Sequence, residues 1–418
     1  MSSGRFLLLQ MAVLLAIGIF WADFVSVSSL SACLLLLTAL FLAIAFGLLR
    51  RGWLAYFSFC LFFMLIGFLR AQLPDVSLLP PSLMALSDNL SSFVQLRIRQ
   101  LSLQDDTISL LDAMLLGQRE GIPDSLLQLY RRTGVAHVLA LSGLHQGILF
   151  GGLNVLLLLV VNYRWRNLVG IFELFLIWGY ALLTGFPLSL CRASLMLSIF
   201  VIGQIRLVGN DGWHTLGLAA FLLLLLSPSS LFDIGFQLSF AAVAGIFLFL
   251  PLLLALGQPR RTAWRWLWQA FLVSVGAQLG VFPLLLHYFN YVSLTGILLS
   301  PIYVLLTTGI LYAALLLLVL APLGLGLLFR HLLELLVSVQ HGLMSLVLRM
   351  PLGGVEDFRL SWMSVLLLYA ALLCLCPVLI ALQPREPEVR YYRLAMFFRS
   401  WPYLLAIILL LSAVVFIG

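Results

Sequence analysis

The sequence predicts an all-α fold, a polytopic bundle of transmembrane helices. Of its 418 residues, 63% are hydrophobic and only 9% are charged, whereas a soluble domain averages about 25% charged residues. Several apolar runs, among them 297–321 and 360–382, exceed the roughly 20 residues that a helix needs to cross a bilayer. This composition excludes a soluble globular domain, a disordered chain, a fibrous protein and a small disulfide-linked scaffold.

Apolar segments separated by polar residues or turns predict about eleven to thirteen spans. The segment 213–227 is short and ends at Pro228, so a re-entrant segment is the alternative there. The candidate spans are 6–22, 29–49, 53–69, 136–161, 168–184, 190–208, 213–227, 232–256, 267–289, 293–320, 323–349, 360–382 and 401–418.

The arginines determine the predicted orientation. All 23 Lys and Arg positions are Arg, against 16 acidic residues, and the net charge is +7. If every span crosses, the arginine-containing connections fall on one side, which positive charge marks as cytoplasmic. We therefore predict a cytoplasmic N-terminus and an external position for residues 70–135. The same bias accounts for much of the positive charge without an anionic partner.

Residues 70–135 form the only sizeable polar stretch. Within it, 107–116 predicts a short helix capped by Asp105 or Asp106, and 125–132 predicts an amphipathic helix. Such helices can lie in the membrane interface and lead into the bundle. The predicted organisation is N-terminal transmembrane helices (1–69), the external segment (70–135), the main transmembrane domain (136–382), and a cytoplasmic basic loop with a final transmembrane helix (383–418).

Polar side chains cluster at the head of the span that starts near residue 136. They are His137, Ser142, His145 and Gln146. Ser142 and His145 are three apart and would share a helix face, whereas His137 and His145 would lie about 80° apart on an unbroken helix. Polar residues inside a membrane are costly and by default indicate function. The alternative places them at the external interface, where they cost little.

Glycines accompany this cluster. Gly143, Gly147 and Gly151 recur at four-residue intervals, a spacing that lets helix backbones approach closely. The strip favours packing over chemistry. Gly143, beside Ser142, can also break the helix and free backbone groups toward a cavity.

Arg192 is a second unusual position, because it follows the helix-ending residues Gly185 and Pro187. An arginine near the middle of a membrane costs roughly 2.5–3.5 kcal/mol on insertion scales, so it requires a partner or a wet surface. The alternative is that its side chain extends to the outer interface.

A third polar stretch follows Pro228 and contains Asp233, Gln237 and Ser239. Asp233 and Gln237 are four apart and share a face of the predicted helix. In the predicted topology Asp233 lies near the same outer level as Arg192, so an ion pair between them would stabilise both charges. The alternative makes Asp233 a helix-start residue favoured by the helix dipole.

Enzyme motifs are scarce. The sequence contains no HExxH, P-loop or GxSxG motif, and the absence of lysine excludes a Ser–Lys dyad. His331, Glu334 and His341 are the only residues that suggest metal ligands, and packing or interfacial roles are commoner for lone polar residues. An intramembrane hydrolase using Ser142 and His145 lacks a nearby orienting acid. We therefore expect neither a metal nor a cofactor.

The polar stretches together resemble the ComEC-type competence proteins, the inner-membrane channel family for DNA uptake. The resemblance covers roughly residues 105–310, about half of the chain. It rests on five segments in the same order: LLDAMLLGQREGIP (110–123), GVAHVLALSGLHQG (134–147), LTGFPLSLCRASLM (183–196), SPSSLFDIGFQLSFAAVAGI (227–246) and FPLLLHYFNYVSL (282–294).

This resemblance implies a channel component that moves single-stranded DNA across the bacterial inner membrane during natural transformation. By similarity, the residues that line or shape the path are His137, Ser142, Gly143, His145, Arg192, Asp233, Gln237 and Ser239. A polyanion needs a wet, partly cationic route, which histidine and arginine can provide. The implied partners are the lipid bilayer, a DNA receptor, a helicase-like motor and a separate nuclease.

The chain also departs from larger members of that family. An external OB-fold and a metallo-β-lactamase-like domain are not recognisable in the sequence, so we expect a channel that is not itself an enzyme. Two other functions stay open at this point. One is a permease for a small anionic or lipid-like substrate, and the other is the Ser142–His145 hydrolase.

Overall fold

The computed structural model is almost entirely helical. It describes residues 7–22, 36–40, 52–73, 81–135, 139, 143–161, 163–206, 211–289, 291–292, 294–324, 326–349, 355–356 and 360–381. Within these residues the named α-helices are α1 (Leu7–Ala22), α2 (Gly52–Ala71), α3 (Pro81–Gln100), α4 (Asp105–Leu111), α5 (Asp124–Arg132), α6 (Gly143–Val160), α7 (Arg166–Leu183), α8 (Leu188–Ile205), α9 (Gly212–Leu226), α10 (Ile234–Leu256), α11 (Thr262–Phe289), α12 (Leu294–Leu320), α13 (Gly326–Leu348) and α14 (Trp362–Ala381).

Shorter elements join these helices. A π-helical turn, Asp112–Leu116, continues α4, and 3₁₀ turns occupy Tyr163–Trp165, Pro228–Phe232 and Ala321–Leu323. Two-residue strands, β1 (Tyr291–Val292) and β2 (Val355–Glu356), pair antiparallel. All other named elements of the described chain are helical.

The predicted all-α membrane fold is confirmed. Seven described helices, α7, α8 and α10–α14, are long and apolar enough to cross a membrane, and α1, α2, α6 and α9 contain shorter apolar helices. These eleven helices coincide with eleven of the thirteen predicted spans. The other two, 401–418 and most of 29–49, lie outside the described residues. The chain is a multi-pass membrane protein.

The chain folds into two units that alternate along the sequence. The first unit comprises Met1–Ser77, Asn210–Tyr288 and Arg359–Gly418. The second comprises Leu78–Gly209 and Phe289–Phe358. The predicted domain boundaries follow sequence order, and they stay predictions.

Glycines bring the helices of the first unit into backbone contact. A methyl group added at Gly18 of α1 would lie 1.8 Å from the Met64 carbonyl oxygen of α2. One added at Gly280 of α11 would lie 2.2 Å from the Ala241 carbonyl oxygen of α10. Small residues allow such close approach where lipid offers no hydrophobic drive for helix association.

The second unit has its main core around the segment that precedes α6. Leu110, Leu111 and Met114, on α4 and the π turn, are fully buried, and they share a cluster with Tyr303 of α12 and Met344 of α13. This segment is therefore packed against membrane helices and does not merely rest on the interface.

Residues 81–135 require three corrections to the predictions. Helix α3 was missed, although Pro81 at its first position and apolar residues spaced by three or four are typical of a helix. Asp105 is the first residue of α4 and not its cap; the N-cap is Gln104, without a side-chain cap bond. The predicted helix 107–116 changes to π geometry at Asp112.

The predicted glycine strip of α6 is only partly a packing surface. A methyl group at Gly143 would lie 2.7 Å from Cβ of Ala193, so this glycine is required for close packing. Added at Gly147 or Gly151, it would meet no described atom within 4 Å. Gly152, outside the strip, is the position where the Tyr312 hydroxyl group packs, 1.8 Å from where an added methyl group would lie.

Candidate functional site

The predicted site residues divide between the two units. Gly143, His145 and Arg192 belong to the second unit, whereas Asp233, Gln237 and Ser239 belong to the first. His137 and Ser142 lie outside the described residues. Arg192 and Asp233 lie in different units, and their ion pair stays a prediction.

A tight turn positions Arg192. Helix α7 ends at Leu183, and Gly185 and Phe186 then adopt positive φ angles of 79° and 54°. Positive φ is uncommon for a bulky residue such as Phe186. Pro187 is the N-cap of α8, so Arg192 is the fifth residue of that helix and is only 5% exposed.

The described start of α6 lies against the second turn of α8. Gly143, the first described residue of α6, packs against Ala193, the residue after Arg192. The predicted helix break at Gly143 stays a prediction, because residues 140–142 lie outside the described residues. His145 is 4% exposed on the same end of α6. His145 and Arg192 are thus both buried near the point where the described start of α6 packs against α8.

Gln146 links three helices just beyond this point. Its Nε2 donates a 2.7 Å hydrogen bond to Ser194 Oγ of α8 and a 3.4 Å bond to the Ile177 carbonyl oxygen of α7. One turn further along α8, Ser198 accepts a 3.0 Å bond from Trp178 Nε1 of α7. The roles of Ser194 and Ser198 were not predicted, although their four-residue spacing on one helix face was readable.

A second polar contact crosses the same three-helix group deeper along α6. Asn154 Nδ2 donates a 2.5 Å hydrogen bond to Glu173 Oε2 of α7. Glu173 is 4% exposed. The sequence reasoning overlooked Glu173, although an acid within an apolar span is itself a signal of function.

The polar residues of the first unit are satisfied mainly by nearby backbone. Asp233 caps α10, since its carboxylate accepts a 3.0 Å bond from the Gly235 backbone N–H. Gln237 Nε2 donates to the Leu231 carbonyl oxygen, and Ser239 Oγ donates to that of Phe236. The local geometry of Asp233 is therefore that of a residue at the start of a helix, which was the alternative to an ion pair with Arg192.

Tyr288 of α11 adds one contact between helices of this unit. Its hydroxyl group donates a 2.6 Å bond to Gln237 Oε1, and Gln237 is 1% exposed. His287 beside it bonds through Nδ1 to the Leu360 carbonyl oxygen at 2.8 Å. These bonds attach the start of α10 and the segment before α14 to the end of α11.

Two of the three residues considered as metal ligands, Glu334 and His341, have other partners. Glu334 lies 3.8 Å from Nε of Arg330, and His341 Nε2 is 3.3 Å from the Tyr130 hydroxyl group. Among the described residues, no three histidine, cysteine or acidic side chains form a metal-holding group.

Asp112, in the π turn, is a buried acid outside the spans. It is 9% exposed and accepts a 3.3 Å bond from Gln95 Nε2 of α3 through Oδ2. Burial raises the pKa of Asp112 from its ordinary value, while the Gln95 bond and the positive charge of Arg99 act in the opposite direction. π turns are frequent at functional sites.

Comparison with known proteins identifies relatives of this chain. Residues 114–383 match the family described as Competence protein. The chain is 33% identical over 195 residues to ComE operon protein 3 of Bacillus subtilis, and 29% identical over 234 residues to Recombination protein 2 of Haemophilus influenzae. It is 32% identical over 180 residues to Competence protein ComA of Neisseria gonorrhoeae.

These alignments cover 47%, 51% and 41% of this chain, respectively. They cover only 24%, 29% and 25% of the relatives, so the chain spans about a quarter of the length of each. No solved structure matches the chain.

Proposed function

Because this chain belongs to the Competence protein family, we propose that it is a channel component that carries single-stranded DNA across the membrane during natural transformation. The observation that carries this proposal is the family match over residues 114–383, more than half of the chain. The matched region includes α6, α8 and α10, and all eight predicted site residues lie within its sequence bounds.

The geometry of the second unit supports an anionic substrate. Helix N-termini carry partial positive charge and bind anions, and the buried Arg192 lies in the second turn from the N-terminus of α8, where Gly143 of α6 packs against Ala193. Arginine holds phosphate oxygens with a planar fork of donors. Together these groups would provide a cationic step for a phosphate backbone within otherwise apolar helices.

The proposal extends to location and partners. We infer that the membrane is the bacterial inner membrane, with a cytoplasmic N-terminus, because the arginine distribution marks that side. A DNA receptor, a helicase-like motor and a nuclease would act with the channel.

The test is a gene deletion in the native host, complemented by the wild-type gene or by Arg192→Ala. Transformants are counted with homologous donor DNA, and labelled DNA is followed into the nuclease-resistant cytoplasmic pool. We expect deletion and Arg192→Ala to abolish that pool while external DNA capture continues. The control is Arg206→Ala, at the exposed opposite end of α8, which should import DNA normally.

Two outcomes would redirect the assignment. Normal import in the deletion strain of a competent host without a paralogue would overturn the channel and favour the small-substrate permease. Loss of function in Ser142→Ala, with normal protein levels and DNA binding, would favour the hydrolase, since a channel should tolerate that change. DNA binding that weakens steeply with salt supports the channel over a lipid-like substrate.

A further inference from the structure

Glu173 is an acid within a membrane span. It lies seven residues into α7 (Arg166–Leu183), one of the helices long and apolar enough to cross a bilayer. At 1.5 Å per residue, it is about 10 Å from the start of the helix and about 15 Å from its end. Glu173 is buried, with an exposed fraction of only 4%. This position is well inside the apolar layer.

The neighbours of Glu173 that the structure describes are neutral. In the described chain its one hydrogen bond comes from the Asn154 side-chain amide, at 2.5 Å. One turn earlier, Gly170 packs against Val201 and Ile205 of α8, and one turn later, Ile177 is in an apolar cluster with Phe150. Apolar contacts therefore close the site above and below the carboxyl group.

The arginine and histidine side chains of α6, α7 and α8 lie near the helix ends. Arg166 begins α7 and Arg206 follows α8, while His145 and Arg192 lie near the starts of α6 and α8. His145 is nine residues from Asn154, about 13 Å along the helix. Helix α3 approaches α7 at its other end, where Ser87 meets Gly185. Helix α12 also packs against α6, and its Tyr312 hydroxyl group donates a 2.7 Å hydrogen bond to the Ile148 carbonyl oxygen. The structure gives Glu173 no ion pair with a described residue.

An unpaired carboxylate in this setting is unfavourable, because burial of a charge costs several kcal/mol unless it is paired. A protonated carboxyl group removes that cost. Acidic residues inside a membrane mark ion pathways and proton relays. The Asn154 amide holds Oε2 in one orientation and stabilises the ionised form when the proton leaves.

We propose that Glu173 is a proton-binding site within the membrane, oriented by Asn154. Packing of α6, α7 and α8 depends on the bound proton, because an ionised carboxylate would draw water between these helices. The same three helices hold His145, Gln146 and Arg192, so proton release would loosen the polar cluster. This site is independent of DNA transport and would exist even if the substrate were different.

Labelling with N,N′-dicyclohexylcarbodiimide tests the proposal, because this reagent adds to protonated carboxyl groups in apolar surroundings. The carboxyl proton passes to a carbodiimide nitrogen, the carboxylate oxygen bonds to the central carbon, and the adduct rearranges to a stable N-acylurea. The full chain in native membranes is labelled between pH 5 and pH 9, and adducts are quantified by peptide mass spectrometry. We expect labelling at Glu173 that falls as pH rises, and none at exposed Glu120.

Asn154→Leu tests whether Asn154 positions the carboxyl group of Glu173, because a purely structural role of Asn154 would leave the pH midpoint of Glu173 labelling unchanged. The variant removes the donor that stabilises the carboxylate, so the midpoint of Glu173 labelling should move to higher pH by about one to two units. Glu173→Gln is the matched neutral variant. As pH rises, the thermal midpoint of this variant should fall less than that of the wild-type chain, because it has no carboxyl group at this position to ionise.

The outcomes are decisive in both directions. A pH-dependent Glu173 adduct with a midpoint shifted by Asn154→Leu supports the site, whatever the DNA-import assay shows. No Glu173 adduct at any pH in membranes where other buried carboxyl groups react would overturn it. Labelling with the same midpoint in wild type and Asn154→Leu would exclude the role of Asn154, and identical pH–stability profiles of wild type and Glu173→Gln would exclude the coupling to packing.

Discussion

The two units hold their helices together in different ways. In the first unit, glycines bring backbones into contact, and polar side chains bond mainly to backbone carbonyl groups. Arg70 Nε and Nη2 donate to the Leu225 and Leu226 carbonyl oxygens at the end of α9, at 2.6 and 2.5 Å. In the second unit, side chains bond to each other across helices, as Gln146 does with Ser194 and Asn154 with Glu173.

This difference shows two answers to the same physical problem. Lipid is as apolar as leucine, so membrane helices associate through close packing or through hydrogen bonds. Close backbone packing leaves no space for a substrate, whereas side-chain pairs can change partners. The second unit is therefore the better candidate for movement, and the first for a stable scaffold.

The largest effect that we expect comes from Gly280→Ala, which attacks the backbone packing of the first unit. The added methyl group would lie 2.2 Å from the Ala241 carbonyl oxygen, and overpacking of this kind costs about 3 kcal/mol. Thermal unfolding in detergent measures the loss. Gly179→Ala is the control, because no described atom lies within 4 Å of its new methyl group; equal losses in both variants would contradict the comparison.

Arg70→Ala should have the next largest effect. The guanidinium group makes three hydrogen bonds to backbone carbonyl groups, including one to Leu73, and Arg70 is 9% exposed. Because hydrogen bonds from charged groups contribute about 1.5–3 kcal/mol, we expect a loss of about 2 kcal/mol. The thermal midpoint should fall, while exposed Arg97→Ala leaves it unchanged. An unchanged midpoint in Arg70→Ala would show that α9 needs no such cap.

Gln146→Leu tests the side-chain bonding of the second unit. The fully buried amide should contribute about 1 kcal/mol through its bonds to Ser194 and Ile177. A double-mutant cycle with Ser194→Ala isolates the pair, and we expect a coupling of about 0.6–1.7 kcal/mol. If the stability losses of the two single variants simply add, the Gln146–Ser194 hydrogen bond does not hold α6 to α8.

Asp233→Ala and Asp233→Asn separate capping from charge. Loss of the cap should cost about 1 kcal/mol, and Asn, which caps equally well, should restore it. If Asp233 acts only as a cap, DNA import survives in Asp233→Asn. Loss of import in that variant at wild-type stability would instead require the negative charge, as the predicted pair with Arg192 does.

The smallest effect should appear in the pH dependence of Asp112. Burial raises its pKa above the ordinary value of 3.8, so the folded state holds this proton more tightly than the unfolded state. The stabilising contribution is complete below pH 3.8 and is lost as pH rises through the raised pKa. As pH rises through the raised pKa, wild-type stability should decline relative to that of Asp112→Asn. Thermal midpoints of the two proteins that change with pH in the same way would contradict this.

Much of the fold was predictable because bilayer thickness makes helix length readable. Eleven predicted spans coincide with described apolar helices. The π turn at Asp112 was not predictable, since no residue pattern distinguishes it from an α-helical turn. The alternation of the two units also escaped prediction, because it depends on contacts between segments far apart in the chain.

The candidate site was predictable in part. The stretches around Gly143, Arg192 and Asp233 were found because polar residues stand out in apolar sequence. Ser194, the partner of Gln146, was not found, because it becomes informative only when a second helix lies beside it. The capping role of Asp233 was one of two readings that the pattern left open.

The sequence by itself determined a multi-pass helical membrane protein with polar residues at particular helix starts. That information is local, because helix length, turn residues and the cost of polar groups in lipid are properties of a single segment. Only the tertiary structure decided that glycines pack the first unit and side-chain hydrogen bonds link the second. It also decided that Glu173 contacts Asn154 and has no ion pair among the described residues, because pairing depends on which helices become neighbours.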